Sequence, residues 1–135
     1  MKKLHDQNAL KKNKKPLFSI ITVVLNQEKY LEQAIKSLLK QKINDYEYIV
    51  IDGGSTDQTL DIIKKYKKKI VYWESKKDRG IYDAFNKGIR RAKGQYICIL
   101  NSDDRFTVNG LRIIKDYINK YPNKDFIFGS VRKHW

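Results

Sequence analysis

The chain has 135 residues, of which 41% are hydrophobic and 33% charged; 29 Lys and Arg stand against 15 Asp and Glu, for a net charge of +14. This is about one domain's worth of chain, and its composition excludes wholesale disorder. The single Cys98 excludes an internal disulfide and a cysteine-built zinc site, and no run approaches the roughly 18 apolar residues needed to span a bilayer.

Residues 1–15 carry six Lys and one Asp and read as a basic, flexible tail without the apolar core of a signal peptide. With the lone cysteine, this predicts a cytoplasmic protein, either free or held peripherally at the inner face of the membrane by lysines on acidic lipid. Residues 17–25 (Leu-Phe-Ser-Ile-Ile-Thr-Val-Val-Leu) form a nearly continuous β-branched run, the pattern of a strand buried on both faces. Asn26 is a candidate cap, and Leu31, Ala34, Ile35, Leu38 and Leu39 recur on one helical face. A second strand at 46–51 ends at Asp52-Gly53-Gly54. Ser55 with Gln58 then has capping-box spacing for a second helix lined by Leu60, Ile63 and Tyr66.

A short strand at 70–73 precedes a third helix striped by Ile81, Ala84, Phe85, Gly88, Ile89 and Ala92 and ended by Gly94. A fourth strand at 95–100 leads to a fourth helix with Leu111, Ile114, Ile118 and Tyr121 on its inner face, stopped by Pro122. Residues 125–128 begin a fifth strand. Strands alternating with helices of this length predict an α/β fold, a mostly parallel sheet with helices on both faces, over residues 16–135.

In such a sheet ligands bind beyond the carboxyl ends of the strands. Asp52, Glu74, Asp103 and Asp104 all follow strands, so acids gather along one edge of a very basic chain. Alone, Asp103-Asp104 reads as a polar turn that caps the next helix. In this company the pair reads as a ligand for Mn2+ or Mg2+, which takes oxygen donors and leaves positions open for phosphate. Asp52-Gly53-Gly54 serves as a tight turn in either case, and its acid stands where other nucleotide folds accept a ribose hydrogen bond. Around Asp78-Arg79-Gly80, a helix N-terminus with Arg79 and Lys87 favours anions. His5 and His134 lack metal-ligand spacing.

Four segments then carry a resemblance: 19–26 (Ser-Ile-Ile-Thr-Val-Val-Leu-Asn), 52–57 (Asp-Gly-Gly-Ser-Thr-Asp), 80–88 (Gly-Ile-Tyr-Asp-Ala-Phe-Asn-Lys-Gly) and 101–104 (Asn-Ser-Asp-Asp). In order and spacing the chain resembles family 2 glycosyltransferases of GT-A fold, over roughly residues 17–130. The resemblance implies a nucleotide diphosphate sugar, often UDP-linked, as donor and a saccharide or lipid-linked acceptor, with inverting transfer. The Gly-Ile-Tyr-Asp-Ala variant is similar to enzymes of bacterial surface-polysaccharide biosynthesis. Val23, Leu25 and Asp52 would surround the base and ribose, Gly80 and Asp83 would lie nearby, and Asp103 and Asp104 would supply the metal-binding acids, Asp103 also touching the donor.

Leu25 departs from the aromatic residue that many relatives place beside the base. The family's catalytic base lies well past the acidic motif, where this chain has only Asp116 and Asp125, on a helix and at a strand start. No catalytic residue is assigned. The expectation is an incomplete GT-A domain lacking its acceptor half, which binds the donor with little or no turnover of its own. A nucleic-acid-binding module would use the charge but leave the clustered acids unexplained, so no nucleic-acid partner is expected.

Overall fold

A computed structural model describes residues 14–133. Most of the basic tail lies outside these residues, as do His5, His134 and Trp135. The elements are β1 (Phe18–Val24), α1 (Leu31–Leu39), β2 (Tyr46–Asp52), α2 (Thr59–Lys65), a 3-10 turn (Lys67–Lys69), β3 (Tyr72–Ser75), α3 (Ile81–Arg91), β4 (Tyr96–Ile99) and α4 (Gly110–Lys120). All strand pairs are parallel, in the order β3-β2-β1-β4. No helix among the described residues is long and apolar enough to cross a membrane.

The β-branched run of β1 occupies the centre of this sheet because both its faces are covered, and all seven of its residues are buried. Alternation sends Phe18, Ile20 and Val24, with Tyr48 and Val50 of β2, to one face, where Leu31, Ala34, Ile35 and Leu38 of α1, Ile63 of α2 and Leu111 and Ile118 of α4 cover them. Ile21, Val23, Ile49 and Ile51 point the other way and meet Ala84 of α3. Within the first layer Tyr48 donates its hydroxyl to Thr22 Oγ1 at 3.0 Å, and Thr22 Oγ1 donates to the Leu100 carbonyl at 2.7 Å. Burial drives the Tyr48 phenol well above its ordinary pKa and pushes the Cys98 thiol up to about 11.

Several sequence expectations are corrected. Residues 125–128 form no strand: Phe126 and Phe128 stay exposed, and the segment is tied to β4 by Tyr96 donating its hydroxyl to the Lys124 carbonyl at 3.2 Å. A strand needs a ladder, and this segment makes none with the free side of β4; a cavity of about 800 Å3 lined by Tyr96, Cys98, Ile118 and Phe126 lies between them. The α3 stripe is narrower than its periodicity implies. Its buried centre line is the small pair Ala84 and Gly88, leaving Ile81 and Ile89 55% and 45% exposed.

Neither predicted cap forms. Asn26 takes a left-handed backbone (φ 51°) five residues before α1 begins, a conformation asparagine tolerates, and the Ser55 hydroxyl bonds Asp52 instead of the helix. The start of α2 is held by Asp57 Oδ1, which accepts the Thr59 N–H at 2.9 Å.

Gly94 shows how tightly the layers close. A Cβ there would stand 2.5 Å from the Ser19 nitrogen and 2.7 Å from the Phe18 carbonyl carbon, both backbone atoms of the central strand. Gly94→Ala is therefore expected to cost about 2 kcal/mol, as overpacking does, read from the urea midpoint.

A second expectation concerns acid. Lys65 and Tyr66 hydrogen-bond Glu32 at 2.6 and 2.8 Å and hold its carboxyl down from 4.5 to about 2, clasping α1 to α2. Because the folded value is the lower one, this contribution is complete above pH 4.5 and disappears as pH falls toward 2. Across that window Glu32→Gln should show a smaller decline in urea midpoint than the parent, and added salt should shrink the difference.

Candidate functional site

Chain order places the site. After β1 the chain steps to β2 and β3 on one side, then crosses to β4 on the other, so the order reverses between the carboxyl ends of β1 and β4. Ligands in open α/β sheets bind in the crevice beyond the carboxyl ends of the strands at such a reversal; here α1 and α4 both pack on one face and α3, which makes the crossing, on the other. Leu25 ends one wall, 55% exposed, and the 101–104 turn ends the other. Asp52 ends β2 on the far side of Leu25, roughly 10 Å from β4 at ordinary strand spacing.

Two loops frame the β1 and β2 ends by clasping each other. The Asn26 N–H donates to Ser55 Oγ at 2.8 Å, and Asn26 Oδ1 accepts the Thr56 N–H at 2.8 Å. Glu28 Oε2 accepts the Gln58 N–H at 2.9 Å, while the Glu28 N–H donates to Asp57 Oδ2 at 3.2 Å. Desolvation pulls the Asp57 carboxyl up, but the Thr59 side-chain hydrogen bond, helped by the Thr59 and Glu28 backbone donors, holds it below its usual range. The rim is thereby fixed without regular secondary structure.

Asp52 is fully buried. Its Oδ1 accepts the Ser55 hydroxyl, and its Oδ2 accepts the Ser55 N–H at 3.1 Å and the Ser75 hydroxyl at 2.6 Å. It thus joins the ends of β2 and β3 to the glycine turn. That turn packs against the next loop so closely that a Cβ on Gly53 would stand 2.8 Å from Asp78 Oδ2, and one on Gly54 3.1 Å from the Lys77 nitrogen.

Gly80 has φ 111° and opens α3 into empty space, with nothing within 4 Å of a notional Cβ, so only glycine suits that turn. Asp83 reaches back to accept the Arg79 N–H at 3.1 Å, and Lys87 lies 3.8 Å from Asp83 and 3.5 Å from Glu74. The Arg79 N–H, aided by Lys87, holds the Asp83 carboxyl below the ordinary aspartate range. Val23 contributes no exposed side chain: it is 7% exposed and packed under α3, so only its backbone can face a ligand.

Asp103 and Asp104 are exposed at the crevice. The turn is closed by the Asp104 N–H donating to the Asn101 carbonyl at 3.0 Å, and Asn101 Nδ2 donates to Asp104 Oδ2 at 2.9 Å. No group of three or more His, Cys, Asp or Glu side chains converges among the described residues. The donor set is thus a pair of hard carboxylates open to solvent. This fits an ion of the Mg2+ or Mn2+ kind, which keeps water and takes phosphate oxygens, and does not fit an all-protein cage.

The sequence model of glycosyl transferase family 2 matches residues 19–134. The chain belongs to this family. It is 33% identical over 122 residues to a PGL/p-HBAD biosynthesis glycosyltransferase of Mycobacterium tuberculosis, covering 86% of this chain and 47% of that protein. It is 39% identical over 99 residues to TuaG of Bacillus subtilis, a putative teichuronic acid biosynthesis glycosyltransferase, covering 70% of this chain and 38% of that protein. Among solved structures, residues 1–349 of S. aureus TarS in complex with UDP-GlcNAc superpose with TM-score 0.71 at 30% identity, over 78% of this chain and 32% of TarS. A Pyrobaculum calidifontis mannosyltransferase in complex with GDP-Man and Mn2+ shares the fold, with TM-score 0.69 at 20% identity. The chain spans less than half the length of the curated relatives it matches.

Family 2 membership accounts for the four segments that carried the resemblance, and the parallel sheet agrees with the GT-A expectation. Sequence reasoning missed the clasp made by Asn26, Glu28 and Asp57. The available signal was the density of Asn and Asp in turns, where such side chains bond nearby backbone. Asp116 is exposed on α4 and Asp125 lies in the irregular segment beyond it.

Proposed function

We propose that this chain is the donor-binding half of a glycosyltransferase that moves a sugar from a nucleotide diphosphate sugar, UDP-linked, onto a saccharide or lipid-linked acceptor in polysaccharide biosynthesis in the cytoplasm. The observation that carries this reading is the placement of exposed Asp103 and Asp104 on one wall of the switch-point crevice, with Leu25 on the other. Relatives named for polysaccharide or glycolipid biosynthesis and a TarS complex with UDP-GlcNAc support it.

In this reading Leu25 and the Val23 backbone border the base, Asp52 fixes the turn beside the ribose, and Gly80 and Asp83 shape the rim near the diphosphate. Asp103 and Asp104 hold Mn2+ or Mg2+, with Asp103 also facing the donor. An ion held there would supply charge neutralisation at the diphosphate. Displacement by an acceptor hydroxyl inverts the anomeric centre and needs a base to take the hydroxyl proton. Asp116 is exposed on α4 and Asp125 lies in the irregular segment beyond it, so neither is assigned that role.

Calorimetric titration of the purified chain tests this. UDP should bind with manganese present and bind at least tenfold more weakly with a chelator. Equal affinity in both conditions would remove the metal from the account.

A further inference from the structure

Parallel βα units end every helix at the amino edge of the sheet, opposite the donor site. Acids and bases divide unequally: the carboxyl edge mixes its acids with exposed Lys29, Lys76, Lys77, Arg79 and Arg105, whereas the amino edge is mostly lysine. Lys40 and Lys42 follow α1, Lys67-Lys68-Lys69 follow α2 and Lys93 follows α3, all exposed. The macrodipole favours cations only within a helix's last turn; Lys42, the three consecutive lysines and Lys93 lie past it. None of these six side chains enters an ion pair among the described residues.

Of the acids at this edge, Asp45 and Glu47 are engaged within the fold, while exposed Asp125 lies beyond the end of α4. Asp45 accepts the Leu17 N–H at 3.1 Å and pairs with Lys115 at 3.9 Å. Glu47 accepts the Ser19 hydroxyl and the Lys93 N–H, both at 2.6 Å. Asp52, Asp57, Asp83, Asp103 and Asp104 all lie at the opposite edge. The N-terminal segment also enters the fold here: the Pro16 carbonyl accepts the Gln95 N–H at 3.0 Å, and exposed Lys14 and Lys15 precede it. Lys14 and Lys15 therefore adjoin the lysines of the fold.

We propose that this amino edge is a docking face for an anionic lipid surface, which leaves the donor site turned toward the solution. The cations are spread over loops across the sheet, about 14 Å between its outer strands, so an extended headgroup layer meets several at once. Exposed Val71, directly after the lysine run and Ile70, adds an apolar side chain to the same edge. A duplex is read by a helix or ribbon laid in a groove, whereas this edge offers the blunt ends of helices. Each basic residue near an acidic leaflet raises partitioning about fivefold.

Sedimentation of the full chain with phosphatidylcholine–phosphatidylglycerol vesicles, and with phosphatidylcholine vesicles alone, tests the inference. Binding should require the acidic lipid and weaken with salt. The triple variant Lys67→Ser, Lys68→Ser, Lys69→Ser should lose on the order of a hundredfold while keeping its thermal midpoint. Lys29→Ser, at the other edge, should change binding little. Vesicle-bound chain should take up UDP with manganese as the free chain does. Equal binding to neutral vesicles, an unaffected triple variant, tighter binding to duplex DNA than to acidic vesicles at the same salt, or UDP uptake lost on vesicles would each overturn the proposal. Absence of UDP binding by the free chain would instead count against the donor-site reading alone.

Discussion

Asp104→Ala is expected to weaken manganese-dependent UDP binding by on the order of a hundredfold or more, since even removing a group that merely supports a metal ligand costs 10–100-fold. The side chain is exposed and its hydrogen-bond partner among the described residues is Asn101 Nδ2 at 2.9 Å. Its removal should therefore leave the urea midpoint within about 0.5 kcal/mol of the parent, as for ordinary surface changes. This split between binding and stability is what separates a ligand from a cap. If the pair merely capped α4, stability would fall and UDP affinity would hold. The structure already weighs against that role, because Asn109 precedes α4 and no side chain caps it.

Asp52→Ala has the opposite signature, an expected loss of about 3 kcal/mol in stability, measured by urea unfolding. It would leave the Ser55 N–H, the Ser55 hydroxyl and the Ser75 hydroxyl without their acceptor in a part-buried site, at roughly 1 kcal/mol for each donor. Asp52→Asn keeps the shape and one accepting oxygen, and the two hydroxyls can rotate, so about 1 kcal/mol is expected. UDP affinity should fall in both variants in proportion to the loosening of the 53–55 turn. A full-stability Asp52→Ala protein that had lost UDP binding would mean the carboxylate serves the ligand and not the turn.

These two acids show what local sequence pattern carries and what it does not. β1 and the inner part of β2 announced themselves because strands covered on both faces must be apolar, β4 was legible from its apolar run although Ile97 and Ile99 stay exposed, and the alternation of strand and helix then placed the ligand edge. Asp103 and Asp104 were found by that rule. Asp52 was placed at the strand end correctly, but its engagement by Ser75, 23 residues on, is non-local, and so is the Asn26–Ser55 clasp across 29 residues. No window of sequence reports such pairings. Phe126-Ile127-Phe128 failed in the other direction: its composition suits a strand, yet a strand exists only where a neighbour offers a ladder. Ile81 and Ile89 had helical spacing but lie outside the narrow strip that Ala84 and Gly88 press against the sheet.

Crystals of the chain soaked with manganese and UDP test the central claim most directly, through anomalous scattering from the metal. The account predicts a single strong peak within coordination distance, about 2.1–2.2 Å, of an Asp103 or Asp104 oxygen, bridged to the diphosphate with the base beside Leu25. UDP seated elsewhere, or seated in the crevice while the 101–104 turn holds no metal, would contradict it.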